Sequence, residues 1–292
     1  MVCVSVVIVT WNAQKFIRNC VNAVFSQVAG NIEVIVVDNG STDQTLRILK
    51  EYAPLKLIVN TENKGFCFAN NQAIKQAKGK YILTLNIDIM LEKNYIYILM
   101  QYLEKYKKVG MVQGKFLTME GNIIDSLGLS LSRAKRLFNI AQGRNDGIEY
   151  AKDREIFGPC AAAALYRKEL INQISIRGDF FDNRFFFLVE DFDVAWRARH
   201  FGWKAMYVHQ AVCRHFRGSA KHKNTFKQYL SFRNRYFLLL KNCSLPELFL
   251  SLPYFLIYDL PRLFFLFFTN QYFFKAIREL FQTCPQLIKE RK

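Results

Sequence analysis

The sequence predicts an α/β fold with a mostly parallel central sheet flanked by helices. Short runs rich in valine and isoleucine alternate with segments of helical apolar spacing over the first 113 residues. This alternation is typical of right-handed βαβ units. The runs are apolar at consecutive positions, as strands buried on both faces are. Polar residues that follow each run are therefore expected at one edge of the sheet, where such folds bind ligands.

The elements of this first part follow one another with short connections. A Ser-Thr-Asp signal at residue 41 marks the start of the second helix. The strands are predicted over 4–10, 32–38, 55–60, 81–88 and 110–114, and the helices over about 14–27, 41–52, 68–77 and 92–107.

The middle of the chain is less regular. Residues 115–157 predict a hairpin and mobile loops, and 158–170 a strand of small residues followed by a short helix. A further helix is expected from Glu190 to about His200, then a strand over 205–216 and a basic helix over 222–242.

The C-terminal part differs in composition from the rest. The chain has a net charge of +17, and residues 204–292 hold 15 Lys/Arg against 4 Asp/Glu. The segment 245–281 is dense in Phe, Tyr and Leu but interrupted by proline and by charges, so a clean transmembrane span of ~20 apolar residues is not expected. Aromatic residues flanked by Lys/Arg favour helices lying in a membrane interface. A helical cap on the domain or a homodimer interface is the alternative, and the predicted boundary lies between 1–220 and 221–292.

The cysteines indicate a reducing compartment. There are seven, an odd number, and no CxxC pair occurs. This pattern excludes a disulfide framework and a zinc site of CxxC type. The opening "MVCVSVVIVTWN" lacks a basic start and is interpreted as a first strand, not a signal peptide.

Polar residues stand at the ends of four predicted strands. Thr10 and Asn12 follow the first, while Asp38, Asn39 and Ser41 follow the second. An acid at Asp38 can accept hydrogen bonds from a base or from ribose hydroxyls. Each of these residues could instead cap the next helix.

The third and fourth strand ends suggest phosphate and cation chemistry. Asn63, Lys64 and Gly65 open a helix, and a helix N-terminus with a lysine suits phosphate. Asn86 and Asp88 emerge from a buried strand, and Asp88 is placed to hold a divalent cation with a diphosphate. A turn or a helix cap is again the alternative for both pairs. No GxGxxG, Walker A or GxSxG pattern occurs, so dehydrogenase, P-loop and hydrolase functions lose their main support.

An acidic cluster follows an apolar run. Glu190, Asp191 and Asp193 come directly after Phe185–Val189. The simplest alternative to a site is an acidic helix start stabilised by the helix dipole, at ~0.3–1 kcal/mol per charge. Stabilisation by the helix dipole does not require an apolar run before the acids, so the run Phe185–Val189 favours a site.

Together these segments resemble family 2 glycosyltransferases of the GT-A fold over about residues 3–220. The matching stretches are "VSVVIVTWN", "VIVVDNGSTDQT", "NKGFCFANNQAI", "GKYILTLNID", "GPCAAAALYRKEL", "FDNRFFFLVEDFDVAWRARHFGW" and "VCRHFRGSA". Within the family, "NKGF…ANN" and "FF…VEDFD…WRAR…GW" most resemble bacterial rhamnosyltransferases that build lipid-linked O-antigen or related cell-wall glycans.

The resemblance implies a role for each strand-end residue. Asp38 would contact the nucleotide base, and Asp88 would hold Mg²⁺ or Mn²⁺ on the donor diphosphate. Asn86 replaces the first acid of the family's D-x-D pattern and supplies no charged ligand. His215 matches a position that can complete the metal shell, although a core histidine is the alternative. The remaining donor-site residues would be Thr10, Asn12, Asn39, Ser41, Asn63, Lys64, Gly65 and Asn71.

The resemblance also assigns the acids. Inverting transfer needs a base that takes the proton of the acceptor hydroxyl, on the side opposite the leaving diphosphate. Asp191 is the matching position, and burial would raise its pKa toward a usable value. Glu190 is expected to contact the acceptor, and Asp193 to pair with Arg197 at i+4.

The expected function is transfer of L-rhamnose from dTDP-L-rhamnose to a polyprenyl-diphosphate-linked saccharide at the cytoplasmic face of the membrane. Transfer of another hexose from a UDP- or GDP-sugar is the alternative. A nucleic-acid binder is disfavoured because the strand-end acids would repel phosphate and the basic residues cluster in the tail. A sugar nucleotidyltransferase would need an N-terminal glycine-rich loop, which "VTWNAQKF" lacks.

Overall fold

The computed structural model describes residues 3–53, 55–218 and 222–291. Its centre is a ten-stranded mixed sheet, with one separate two-stranded hairpin. The strands are β1 (Val4–Thr10), β2 (Ile32–Asn39), β3 (Lys56–Asn60), β4 (Tyr81–Asn86), β5 (Ile89–Leu91), β6 (Val109–Thr118), β7 (Ile124–Ser126), β8 (Leu129–Leu131), β9 (Leu137–Asn139), β10 (Arg154–Ile156), β11 (Ala163–Arg167) and β12 (Lys204–His215).

The helices cover both faces of this sheet. Two short 3₁₀ turns, Ile148–Tyr150 and Asn183–Phe185, and one π-helical turn, Phe255–Asp259, complete the regular structure of the described residues. The α-helices are α1 (Ile17–Phe25), α2 (Thr45–Leu49), α3 (Phe66–Gln76), α4 (Tyr95–Lys105), α5 (Lys168–Ile174), α6 (Glu190–His200), α7 (Asn224–Asn242), α8 (Leu245–Leu250), α9 (Leu252–Tyr254), α10 (Leu260–Thr269) and α11 (Phe273–Lys289).

The sheet is parallel in its first half and mixed in its second. Its main order is β10-β12-β6-β11-β4-β1-β2-β3, with β5 paired to β12 and β7 paired to β6. The strands β4, β1, β2 and β3 run parallel to one another. The strand β11 lies antiparallel between β4 and β6, which the sequence analysis did not foresee. The parallel half therefore brings four carboxyl ends to one edge, as predicted.

Each face of the sheet has its own apolar layer. The valines of β1 alternate between the two, with Val7 in the layer of α3, α5, α6 and α7, and Val6 and Ile8 in the layer of α1, α2 and α4. Burial on both faces explains why these strands read as continuous apolar runs.

Several element boundaries differ from the prediction for local reasons. The helix α2 begins at Thr45 instead of residue 41, because Ser41 and Thr42 are engaged by Asn12 across the turn. The strand β4 ends at Asn86, and β5 follows as a separate short strand. The helix α6 begins at Glu190, as predicted.

The C-terminal helices pack on the sheet domain through α7, which contacts α6 and α11. The stretch Leu252–Thr269 is long and apolar enough to cross a membrane, by length and composition only, and 11% of it is buried. The sequence analysis expected no such span, and this one qualifies although it contains Asp259 and Arg262. Asp259 is ion-paired with Arg235 of α7.

Candidate active site

A cleft of about 710 Å³ opens at the carboxyl ends of the parallel strands. The strand register places Thr10 beside Asp38, and Asn39 beside Asn60, at this same edge. Nine of the predicted residues line the cleft: Thr10, Asn39, Asn63, Gly65, Asn86, Asp88, Glu190, Asp191 and His215. Residues from distant parts of the chain thus converge as the sequence analysis expected.

Asp88 and His215 meet because β5 pairs with the end of β12. His215 stands opposite Ile89 in that ladder, and the N–H of Phe216 donates to the carbonyl of Asp88. The distance from His215 Nε2 to Asp88 Oδ1 is 3.4 Å, and both side chains are buried. Burial alone would lower the pKa of His215, but hydrogen bonds and the charges of two carboxylates raise it.

The second of these carboxylates is Asp125, which the sequence analysis missed. Its Oδ2 lies 2.8 Å from His215 Nδ1, and its Oδ1 pairs with Arg217. Burial opposes ionisation of Asp125, yet the bonds from His215 and Arg217 lower its pKa. A carboxylate on Nδ1 fixes the orientation of the ring and directs Nε2 into the cleft.

The Asp88–His215 pair fits a divalent cation as part of a ligand shell. A carboxylate oxygen and an imidazole nitrogen are ligands that Mn²⁺ accepts, and a carboxylate behind the imidazole is a usual outer partner. Within the described ranges, no group of three or more His, Cys, Asp or Glu side chains forms a complete metal site. Further ligands would have to come from a bound diphosphate or water.

The residues before α6 hold the acids in a strained turn. Phe186, Leu188 and Val189 have positive φ angles of 65°, 69° and 76°. Such backbone costs about 1–3 kcal/mol per residue for side chains of this kind and is found mainly at functional sites. The turn places Glu190 and Asp191 in the first turn of α6, facing the cleft.

Both acids have raised pKa values. Burial raises the pKa of Asp191 to about 6, although the N–H groups of Phe192 and Ala161 bond the carboxylate and act in the opposite direction. Burial, followed by the charge of Asp191, raises the pKa of Glu190 well above its usual value. The Oε2 atom of Glu190 is buried without a hydrogen-bond partner among the described residues. Burial therefore favours the protonated form of both carboxyl groups, and the charge of Asp191 favours it further at Glu190.

Asp193 is structural, which confirms the predicted pairing with Arg197. Its Oδ2 accepts from Arg197 Nε at 2.8 Å and lies 2.9 Å from Lys241 Nζ. Its Oδ1 accepts from Asn242 at 3.0 Å. Although burial opposes ionisation, the two cations lower the pKa of Asp193. Asp193 therefore links α6 to α7.

Gly65 connects the strand ends at the cleft with the strained turn. Its φ is 89°, and a Cβ at this position would overlap the ring of Phe186. Asn63 Oδ1 accepts from the N–H of Gly65 at 2.9 Å and from Asn39 Nδ2 at 2.9 Å. Only glycine fits this backbone and this contact.

Asp38, Ser41 and Asn12 connect the first two strand ends. Asp38 Oδ2 accepts from the N–H of Ser41 at 3.1 Å, and Ser41 Oγ accepts from the N–H of Asn12 at 2.8 Å. None of these three residues is among those that line the cleft, in contrast to the prediction. Asp38 Oδ1 and Thr10 Oγ1 are buried without partners in the described part of the chain. Unsatisfied buried oxygens next to a cleft suit a ligand that donates hydrogen bonds.

Lys64 and Asn71 occupy other positions than those predicted for donor contacts. The Lys64 ammonium lies 5.3 Å from the centre of the Phe68 ring, on α3. Asn71 is buried and bonds the backbone of Phe181 in both directions, at 2.7 and 3.0 Å. Asn71 therefore joins α3 to the segment before α6, outside the cleft lining.

An aromatic stack closes one side of the cleft. His222 lies between Trp11 and Phe187, with ring centroids 4.9 and 4.8 Å apart. A second pocket of about 390 Å³ adjoins it, next to Tyr272 of the C-terminal helices. In the sequence, the aromatic residue of this wall that stands beside a strand end is Trp11, directly after β1.

Comparisons with known proteins agree with this geometry. The chain is 31% identical over 177 residues to chondroitin synthase of Escherichia coli, which covers 53% of this chain and 26% of that protein. It is 26% identical over 186 residues to a dolichyl N-acetyl-glucosaminyl phosphate diacetamido-dideoxy-glucuronosyltransferase of Methanococcus voltae, covering 60% of this chain and 56% of that protein. The chain therefore spans between a quarter and just over half of these relatives.

Solved structures show the same fold. GalNAc-T7 with UDP, GalNAc and Mn²⁺ superposes with a TM-score of 0.65 at 14% identity, covering 82% of this chain and 48% of that one. Residues 1–349 of TarS from S. aureus superpose with a TM-score of 0.61 at 19% identity, covering 99% and 83%. The architecture is the GT-A fold.

The sequence model of glycosyl transferase family 2 matches residues 5–175, more than half of the 292 residues. That range contains the four strand ends, Asp88 and Asp125, while the acids and His215 complete the cleft from beyond it. With the family model, the relatives and the cleft in agreement, the chain belongs to glycosyl transferase family 2.

Proposed function

We propose that the protein transfers a sugar from a nucleoside-diphosphate donor to an acceptor hydroxyl with inversion at the anomeric carbon. The observation that carries this proposal is the shape of the cleft, which exposes the Asp88–His215 pair and the Glu190–Asp191 pair to the same cavity. One pair suits the departing diphosphate and the other suits the incoming hydroxyl.

Asp191 acts as the base. Its carboxylate is ionised at neutral pH, and its pKa of about 6 makes it a far better proton acceptor than an exposed aspartate. The acceptor oxygen bonds to the anomeric carbon while the bond from that carbon to the diphosphate oxygen breaks. The hydroxyl proton passes to Asp191, and the electron pair of the broken bond leaves with the diphosphate.

Glu190 orients the acceptor. Its raised pKa favours the protonated carboxyl, and its buried Oε2 has no partner among the described residues. A protonated carboxyl can donate one hydrogen bond and accept another. It can therefore hold a sugar hydroxyl beside Asp191 without competing for the same proton.

Asp88 Oδ and His215 Nε2 would hold a Mg²⁺ or Mn²⁺ ion. When bound, such an ion neutralises the charge that develops on the leaving diphosphate. Asn86 contributes an amide instead of a second carboxylate, and Asp125 keeps His215 in place. Thr10 and Asp38 provide the unsatisfied oxygens for the nucleoside, with Asn39 and Asn63 shaping the turn.

For the donor we propose dTDP-L-rhamnose, on the motif resemblance, and a polyprenyl-diphosphate-linked saccharide as the acceptor. A UDP-sugar is the second candidate, because the similar GalNAc-T7 and TarS folds were solved with UDP. A comparison of thermal stabilisation by dTDP and by UDP, each with Mn²⁺, separates the two nucleotides. Turnover of dTDP-L-rhamnose and UDP-sugars then identifies the sugar.

The C-terminal helices would place the enzyme at the cytoplasmic surface of the membrane. Leu252–Thr269 is mostly exposed, and basic residues adjoin it. Exposed apolar area on this scale marks a binding surface for lipid or protein. Flotation of the protein with anionic liposomes tests this placement, and binding to neither anionic nor neutral liposomes contradicts it.

Asp191→Asn tests the catalytic proposal. The variant is expected to bind the nucleotide normally and to lose turnover, by about 10²–10⁴-fold for a positioned base. Near-normal turnover would show that Asp191 is not the base.

A further inference from the structure

One buried amide of α7 holds the turn that carries the acids. Asn234 is fully buried, and its Nδ2 donates to the carbonyls of Phe185, Phe187 and Leu188 at 2.8, 2.9 and 2.7 Å. Since an amide has two N–H bonds, at least one of them is shared between two carbonyls. A single side chain thus binds three backbone carbonyls of this turn.

Arg233 fixes the orientation of that amide. Its Nε and Nη2 donate to Asn234 Oδ1 at 3.0 and 2.9 Å, so that Nδ2 must face the turn. Its Nη2 also donates to the carbonyl of Arg184 at 2.8 Å. On the other side its Nη1 pairs with Glu279 of α11 at 2.6 Å. A chain of buried polar contacts therefore runs from α11 to the turn.

Bonds from other elements hold the turn in addition to its own local bonds. The carbonyls of Phe187 and Leu188 accept from Asn234 of α7, and the carbonyl of Phe186 accepts from the N–H of Cys67 in α3. The first backbone bond of α6 runs from the N–H of Asp193 to the carbonyl of Val189. The position of the turn consequently sets where the first residues of α6, including Asp191, point.

We infer that Asn234 is a positioning residue for Asp191, holding the strained turn so that the carboxylate faces the acceptor. It is absent from the cleft lining of the described residues, so it acts only through the turn. Both Asn234 and Arg233 also lie beyond residues 5–175, the range that the family model matches. The inference rests on the proposed role of Asp191.

The test combines kinetics with titration of the carboxyl group. Asn234→Ala should lower kcat by on the order of 100-fold, as a small misplacement of a reacting group does, with little change in the donor KM. The Asp191 carboxyl resonance, assigned by its loss in Asp191→Asn, should titrate nearer the ordinary value because water reaches a displaced side chain. The titratable neighbours that bear on this titration are Glu190, Cys160, Cys67 and Tyr166.

Asn270→Ala is the matched control. Asn270 is also a buried amide that donates to the backbone of α7, at the carbonyl of Thr225, but it does not contact the turn. It should leave kcat and the Asp191 titration unchanged. If Asn234→Ala does not fold, Asn234→Ser, which keeps one hydroxyl donor, serves for the same measurements.

The possible outcomes separate the two proposals. An unchanged kcat and Asp191 titration in the folded Asn234 variant overturns the inference, while a dead Asp191→Asn still supports the catalytic role. An active Asp191→Asn overturns the catalytic role, whatever the titration shows for Asn234. Equal losses in the Asn234 and Asn270 variants would mean general destabilisation and also overturn the inference.

Discussion

Replacement of Asp191 by asparagine should stabilise the fold at neutral pH while it abolishes turnover. The folded-state pKa of about 6 exceeds the 3.8 of a free aspartate, because the carboxylate of this half-buried residue is partly desolvated in the cleft. A pKa difference of one is worth about 1.4 kcal/mol, so ionisation of Asp191 in the fold costs up to about 3 kcal/mol. Asparagine keeps the shape and one oxygen acceptor without that charge.

The sign of the pH dependence follows from the raised pKa. Below about pH 3.8 the group is protonated in both states and contributes no penalty. As the pH rises from 3.8 to about 6, the folded protein loses stability relative to Asp191→Asn, and above that range the difference is constant. Urea unfolding of the two proteins between pH 4 and pH 8 measures this difference directly.

Asp193→Asn provides the opposite control in the same helix. Its carboxylate is paired with Arg197 and Lys241, and removal of one member of a buried ion cluster costs about 3–5 kcal/mol. This variant should be destabilised at pH 8. A stability difference for Asp191→Asn that does not change from pH 4 to pH 8 would refute the reasoning from desolvation.

Three further predictions concern the metal, the donor turn and the tail. Asp125→Asn should weaken Mn²⁺-dependent nucleotide binding by about 10–100-fold, since His215 loses its outer partner, and calorimetry with and without Mn²⁺ measures it. Gly65→Ala should destabilise the fold by about 1–3 kcal/mol, seen in urea unfolding, because only glycine favours its φ of 89° and the new Cβ meets Phe186. Replacement of the exposed phenylalanines of α10 by serine, at Phe264, Phe265 and Phe268, should weaken liposome binding and leave turnover of a soluble acceptor unchanged. Equal losses of liposome binding and turnover would contradict the membrane role.

Several residues that line the cleft at the strand ends could be predicted from the sequence, for a physical reason. Strands buried on both faces must be apolar throughout, so the first polar residue after each marks the sheet edge. Asn86 and Asp88 stand out in this way after β4, and the described structure places them in the cleft. The helix start at Glu190 was equally visible, because an apolar run ends there.

What the sequence could not predict depends on contacts between distant residues. Asp125 lies 90 positions from His215, and no local pattern marks it as a partner. From the sequence, Asn71 was expected to contact the donor from the helix after Asn63-Lys64-Gly65. Its amide instead bonds the backbone of Phe181, 110 positions away. Lys64 precedes α3, its ammonium lies over the ring of Phe68 in that helix, and it is not among the residues that line the cleft. Tertiary packing decides these cases.

The two halves of the cleft are built on different principles, and this difference bears on the role of the C-terminal helices. Parallel strand ends form the proposed donor side, where backbone hydrogen bonds of the sheet supply the rigidity. The acids instead stand on a strained turn whose carbonyls are satisfied by Asn234 of α7. Because Arg233 links that helix to Glu279 of α11, the base depends on the same helices that carry the exposed apolar surface. Removal of the tail would therefore remove the support of the base along with the proposed membrane contact, so single surface substitutions are the variants that can separate the two roles.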